Sequence, residues 1–203
     1  SVCGMTHSVR LASAPDDYAR LGLMNGGVEP WEDGLRTDPA RRGHFEWWYA
    51  DCHLDDGSKV VVQFYTKHPT NPFTGLDPHV TVTLDLPDGS TVERTLRARP
   101  SDFAASTAIC DVRIGANTLR GDLATYRIHV EIDDVTLDLE LEGTTAAWRP
   151  ETGYLVFHAG GAENYFAWLP AVPMGDVRAS LAVARRDPAA HCAGAPRPQP
   201  PEV

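Results

Sequence analysis

The sequence predicts an all-β protein, an antiparallel barrel or strongly curved sandwich behind an irregular N-terminal leader. Apolar and polar residues alternate with a period of two in several segments, which is typical of strands with one buried and one solvated face. Turn residues of the Asp-Gly type separate these segments at the short intervals that hairpins require. With 42% hydrophobic residues among 203, the chain can also build one large core.

Residues 1–43 are predicted to form a leader with little regular structure. One short helix is expected at 15–21, because Asp16 and Asp17 place negative charge in its first turn, where the helix dipole favours it. Gly22 follows at once and would end this helix. The leader is therefore expected to hold one helix and no strand.

Antiparallel strands are predicted to fill the domain at 44–186. The strongest evidence is at 126–142, where alternation on both sides of Asp133-Asp134 gives each strand one dry and one wet face. Residues 187–203 lack periodicity and are rich in proline, so we expect a disordered tail. The expected strands span 44–52, 59–67, 79–86, 91–97, 126–132, 135–142, 153–158, 165–168 and 176–184.

The composition argues against several classes of partner. A formal net charge of −10 disfavours nucleic acid and anionic membrane surfaces, which attract basic proteins. No apolar run approaches the ~20 residues that a membrane span requires. The first eleven residues lack the apolar core of a secretory signal, so the cytoplasm is the default expectation for location.

The sequence offers no recognisable cofactor or metal site. The four cysteines form no CxxC pair, so buried free thiols are expected rather than a zinc site or a disulfide framework. Among eight histidines there is no His-x-His and no His-Glu-x-x-His, so no metal is expected. Phosphate-binding loops, dinucleotide fingerprints and Gly-x-Ser-x-Gly motifs do not occur, which disfavours kinases, dehydrogenases and hydrolases.

Several segments resemble the lipocalin-like family of hydroxyneurosporene synthases (carotenoid hydratases), Diels–Alderase-type cyclases and related hydratases. The most specific segment is Glu46-Trp47-Trp48-Tyr49, preceded by Phe45. The other resembling segments lie at 29–36, 60–67, 86–89 and 165–170, so that the likeness spans most of 28–178.

The resemblance implies a lipocalin-like (calycin-type) barrel, corresponding to the N-terminal half of a family whose ligand lies near the junction of two consecutive halves. The Gly-Tyr-His-Asp-His-Asn-type motif that opens the second half is not found, so we expect that second domain to be missing. A homodimer could supply an equivalent half.

The resemblance also implies a cofactor-free hydration or [4+2]-type cyclisation of an apolar polyene or polyketide held in the cavity. The alternative is a non-catalytic carrier of an apolar small molecule, or an inactive truncated half. Fold resemblance alone does not decide between these functions.

Glu46 is the candidate catalytic residue. Strand alternation places Glu46 and Trp48 on one face, and Trp47 and Tyr49 on the other. In an apolar lumen beside Trp48, desolvation would raise the pKa of Glu46, so that it could protonate an alkene or donate a hydrogen bond to a carbonyl. The alternative is a structural carboxylate that binds the leader backbone or an arginine.

The candidate substrate-binding residues, besides Trp48, lie on three further strands. Gln63 and Tyr65 share one face and could orient a mostly apolar ligand, although Tyr65 could equally be a core residue. Tyr165 and Trp168 lie on opposite faces of a regular strand, so at most one lines a cavity without a bulge, and Trp168 is favoured as core. His79 begins a strand and is the best histidine for acid–base work, a satisfied surface histidine being the alternative.

Overall fold

The computed structural model describes residues 9–159 and 162–184. Its described part is an all-β antiparallel sandwich with three sheets, none of which closes into a barrel. The sequence left open a barrel and a curved sandwich, and the structure has the sandwich. The predicted tail at 187–203 lies outside the described residues. No helix within the described ranges has both the length and the apolar character needed to cross a bilayer.

Thirteen strands, one α-helix and two 3-10 turns make up the described chain. The helix is α1 (Pro15–Leu21), and the 3-10 turns are Pro30–Asp33 and Pro100–Asp102. The strands are β1 (Val9–Leu11), β2 (Trp47–His53), β3 (Lys59–Tyr65), β4 (His79–Asp85), β5 (Thr91–Arg97), β6 (Phe103–Ala105), β7 (Cys110–Ile114), β8 (Asn117–Gly121), β9 (Thr125–Ile132), β10 (Val135–Gly143), β11 (Tyr154–Ala159), β12 (Ala162–Ala167) and β13 (Gly175–Val183).

Two of the sheets pack face to face and enclose the core. The first has the order β2-β3-β4-β5, and the second has the order β13-β10-β9-β8-β7-β6. One hydrophobic cluster joins alternate side chains of both, for example Val62 and Phe64 from β3 with Ile128 and Leu139 from the second sheet. This period-two burial follows from the pleat, which points successive side chains to opposite faces.

The third sheet has the order β1-β11-β12 and joins the leader to the β11–β12 hairpin. After β1, Ala12 donates its backbone N–H to the Tyr154 carbonyl, and the Thr152 hydroxyl donates to the Ala12 carbonyl. The leader therefore contains a strand that the sequence did not indicate. Three residues are too short to show a period of two, and β1 forms only because β11 supplies its partner.

Helix α1 and the strongest hairpin are confirmed. Gly22 ends α1 in the left-handed region, at φ 69°, as the glycine after a helix commonly does. Asp133 has φ 54° and turns β9 into β10, in full register along both strands. The first long strand differs from its prediction, because it begins at Trp47 and not at residue 44. Glu46 instead donates its backbone N–H to the Thr66 hydroxyl.

Candidate functional site

A cleft of about 750 Å³ lies between β2 and the β11–β12 hairpin. Strand β2 and the residues before it supply one aromatic wall, formed by Phe45, Trp47, Trp48 and Tyr49. The facing wall carries Tyr154, Tyr165, Phe166 and Trp168. Concave sites with mainly aromatic walls and few polar groups are typical binding sites for small molecules.

The two walls touch at the rim of the cleft. The Trp47 and Phe166 rings lie 5.8 Å apart, and the Phe45 and Trp47 rings are stacked at 5.7 Å. These spacings are those of favourable aromatic pairs. Trp168 is 47% exposed, so the second wall remains accessible from solvent.

Asp33, a half-buried residue with a desolvated carboxyl, lies on the cleft lining together with Tyr126 of β9. The Tyr126 hydroxyl donates a short hydrogen bond to Asp33, and the Cys110 thiol contacts the same carboxyl. The backbone carbonyl of Asp33 accepts the indole N–H of Trp48 at 2.9 Å. Asp33 therefore links the leader, the second sheet and the aromatic wall of β2.

Burial changes the pKa of each of the three side chains that meet here, Asp33, Tyr126 and Cys110. Desolvation raises the pKa of Asp33 to about 6, and the hydrogen bonds from Tyr126 and Cys110 only partly oppose this. Burial and the neighbouring Asp33 charge raise the pKa of Tyr126 and of Cys110, so that both stay protonated donors. A carboxyl that titrates near neutrality in an apolar cleft is suited to proton transfer.

Two glycines allow Asp33 to reach Tyr126 and Cys110. A Cβ on Gly34 would lie 2.9 Å from the Thr107 backbone, so only glycine lets the leader pack this closely against the β6–β7 connection. There Leu35 donates its N–H to the Ser106 carbonyl at 2.7 Å. A Cβ on Gly121 would lie 2.1 Å from the Tyr126 ring, which occupies the vacant side-chain position.

A buried ion pair between Glu32 and Arg149 also lies on the cleft lining. Arg149 donates to Glu32 at 2.7 Å, and both side chains are at least 95% buried. The remaining Arg149 donors bind the carbonyls of Met24, Gly27 and Glu151. This extensive pairing satisfies both charges, as burial requires, and fixes the leader against residues 149–152.

Glu46, the sequence-predicted acid, lines the cleft but is bound by the leader. Its carboxylate accepts the backbone N–H groups of Arg36 and Thr37 at 3.0–3.1 Å and the Thr37 hydroxyl at 2.9 Å. Burial raises the pKa of Glu46, and these hydrogen bonds oppose the shift. This bonding matches the alternative in which Glu46 is a structural carboxylate that binds the leader backbone. A catalytic role for Glu46 therefore stays a prediction.

Trp48, Tyr165 and Trp168 all line the same cleft. Trp48 also belongs to the sandwich core, with 7% of its surface exposed. Tyr165 and Trp168 both reach the cleft because β12 ends at Ala167, which frees Trp168 from strand alternation. Trp168 is therefore not the buried core residue that the sequence favoured.

Gln63, Tyr65 and His79 form a separate cluster outside the lining of the cleft. Tyr65 pairs with His79 across β3 and β4, and their rings are stacked at 4.6 Å. Gln63 accepts a hydrogen bond from Thr81. The pleat directs Gln63 away from the core that receives Phe64. Any role of these three side chains in substrate binding stays a prediction.

His79 is buried, with 2% of its surface exposed, and is not the surface histidine considered from the sequence. Its Nδ1 binds the Asp77 carbonyl at 3.0 Å, and its Nε2 has no hydrogen-bond partner among the described residues. Burial lowers the pKa of His79. Within 9–159 and 162–184, no cluster of His, Cys, Asp and Glu side chains has the arrangement of a metal site.

Asp33 and Tyr126 are the site residues that the sequence did not single out. The available signal was the pair Glu32-Asp33 between Trp31 and Gly34, two carboxylates in an apolar setting. Their partners, Arg149 and Tyr126, are remote in the chain, so spacing could not identify them.

No protein-family model, curated protein or solved structure matches this chain. The likeness to the lipocalin-like family stays a prediction from the segments quoted above.

Proposed function

We propose that the cleft binds an extended, mostly apolar small molecule and that Asp33 transfers a proton to it. The observation that carries the proposal is a desolvated carboxyl with a pKa of about 6, on a residue that lines an accessible, aromatic cleft. The reaction would be the hydration or cyclisation of a polyene or polyketide, and it needs no cofactor.

The proton transfer follows from the surroundings of Asp33. Protonated Asp33 would add its proton to an alkene carbon, or to a carbonyl oxygen of a polarised substrate. In a hydration, water would then add to the cationic carbon and return a proton to the Asp33 carboxylate. Tyr126 and Cys110 would stabilise that carboxylate, because each donates a hydrogen bond to it.

Glu46 has a positioning role in this proposal. Its carboxylate binds the Arg36 and Thr37 backbone and so holds the leader that carries Asp33. The aromatic walls would keep a flexible substrate in a folded, reactive shape, which can contribute much of the rate enhancement of a cyclisation.

The test begins with native mass spectrometry of the purified protein and organic extraction of any bound compound. The extracted compound is then incubated with the wild type, Asp33→Asn and Glu46→Gln, and products are separated by liquid chromatography. We expect turnover to fall at least about 100-fold in Asp33→Asn, the usual contribution of a general acid, and to persist in folded Glu46→Gln. Equal turnover by the wild type and Asp33→Asn would refute the role of Asp33.

A reversible carrier is the second candidate, and two observations favour it. The carboxylate of Glu46 is already occupied by the leader. In addition, Trp148, Tyr165 and Phe166 are each at least 40% exposed, which suits entry and release of a ligand. A carrier returns the extracted compound unchanged, whereas an enzyme converts it. A protein with no bound compound and no affinity for polyenes would argue against both functions.

A further inference from the structure

We propose that the ligand of this cleft is an amphipathic acid, whose anionic oxygens bind Arg36, Tyr154 and Tyr165 while its apolar part lies along the aromatic walls. The proposal rests on the binding function proposed above and names the chemical class of its ligand. It starts from the charges on the cleft lining.

Arg36 is a cation on the lining with no ion pair to any described residue. Its guanidinium lies 4.0 Å from the Trp31 ring centroid, and this cation–π contact fixes its position without using its N–H donors. A planar guanidinium with unused donors is the preferred partner of a carboxylate or enolate.

Three carboxylates on the cleft lining already have other partners. Glu32 binds Arg149, and Glu46 accepts backbone and hydroxyl donors from Arg36 and Thr37. Glu163, at the hairpin side of the cleft, pairs with Arg20 at 2.5 Å. The Arg36 charge also opposes the rise in the pKa of Glu46, but its guanidinium forms no ion pair with a described carboxylate, so its N–H donors are available to an incoming anion.

Two phenol groups lie on the same lining. The Tyr154 and Tyr165 rings are 5.1 Å apart, and neither hydroxyl has a hydrogen-bond partner among the described residues. Burial raises the pKa of Tyr154, and the nearby Arg36 charge opposes this shift, which places the two groups within electrostatic reach. Both hydroxyls could donate a hydrogen bond to an oxyanion, as the Arg36 guanidinium could.

The experiment measures tryptophan quenching on titration with all-trans-retinoic acid and all-trans-retinol, two polyenes that differ in the charge of one end. Trp47, Trp48 and Trp168 line the cleft and would report binding of both probes. The proteins are the wild type, Arg36→Met, Arg36→Lys and the control Arg99→Met, which removes an exposed arginine paired with Asp102. Arg36→Met keeps an apolar side chain on Trp31 and leaves the Arg36 backbone bond to Glu46 intact.

We expect the wild type and Arg99→Met to bind the acid about tenfold more tightly than the alcohol, as one charge-assisted contact provides. Arg36→Met should bind both probes alike, with its alcohol affinity unchanged. If Arg36→Met binds neither probe, the affinities of Arg36→Lys are compared instead. A tighter binding of the acid than of the alcohol by Arg36→Lys supports the proposal, and equal binding overturns it.

Three outcomes overturn the proposal in distinguishable ways. Equal binding of acid and alcohol by the wild type refutes the anion site, but it agrees with a cleft that binds apolar molecules. A preference for the acid that persists in Arg36→Met refutes the assignment to Arg36. Binding of neither probe by the wild type refutes the anion site together with the proposed function.

Discussion

The hydroxyl of Tyr126 donates a hydrogen bond to the carboxylate of Asp33, joining residues 93 positions apart in the chain. The bond connects the leader to the larger sheet at the lining of the aromatic cleft. It also stabilises the charged form of a carboxyl whose burial favours the neutral form. The stability of the fold and the acidity of the candidate site therefore depend on the same contact.

Asp33 should make stability depend on pH in an unusual direction. Its pKa is raised from 3.8 to about 6 in the folded protein, so the folded state binds the proton more tightly than the unfolded state. The resulting stabilisation is complete below pH 4 and is lost as the pH rises through about 6, a change of about 3 kcal/mol in unfolding free energy. Urea unfolding of the wild type and Asp33→Asn between pH 4 and 7 measures the difference. A difference that is constant across this range would contradict the raised pKa.

Removal of the Tyr126 hydroxyl should raise the pKa of Asp33 further. Tyr126→Phe deletes a donor to the carboxylate, and at pH 8 it should lower the unfolding free energy by about 1.5–3 kcal/mol, as expected for a hydrogen bond to a charged group. Side-chain carbon NMR follows the titration of Asp33 directly. Tyr49→Phe is the matched control, because Tyr49 is 46% exposed and makes no side-chain hydrogen bond to a described residue. An unchanged Asp33 titration in Tyr126→Phe would argue against this contact.

Gly121→Ala should displace the Tyr126 ring. The new methyl carbon would lie 2.1 Å from ring atoms, which is too close for any van der Waals contact. We expect a loss of about 1–3 kcal/mol in stability, typical of overpacking, and the same upward movement of the Asp33 pKa as in Tyr126→Phe. Gly75→Ala is the control, because nothing lies within 4 Å of its added carbon. Equal melting temperatures for the two variants would contradict the close packing.

Breaking the buried Glu32–Arg149 pair should lower the unfolding free energy far more than breaking an exposed pair. Arg149→Met leaves the Glu32 charge buried without its partner, and the expected loss is about 3–5 kcal/mol in unfolding free energy. Arg127→Met breaks the exposed pair with Glu140 and should cost less than about 1 kcal/mol. Chemical unfolding of both variants at one pH gives the comparison. Similar losses would mean that the buried pair contributes no more than a surface contact.

Much of the fold could be predicted because its signals are local. The β9–β10 hairpin follows from alternation around Asp133, and α1 follows from its acidic first turn and Gly22. The strands within 98–125 are not among those that the sequence predicts, although Cys110, Val112 and Ile114 alternate with polar residues in β7. Strands of three to five residues contain only one or two apolar–polar alternations, so they are harder to recognise than the nine-residue β10.

The aromatic wall of the cleft was partly predictable from the same alternation. Trp48 was expected on one face of β2, and it does line the cleft while it packs in the core. The acid was not predictable in this way. Glu46 adjoins two tryptophans in the sequence, but its environment depends on Arg36 and Thr37, which the leader brings to it.

The sequence by itself determined most of the longer strands, the turns between them and the face of each that is apolar, because a period of two and a turn residue act over a few positions. Only the tertiary structure decided which carboxyl is buried with a raised pKa. Desolvation of Asp33 and its bond to Tyr126 exist because the leader folds over the end of the sandwich. An electrostatic environment is a sum over neighbours in space, and those neighbours are remote in the chain.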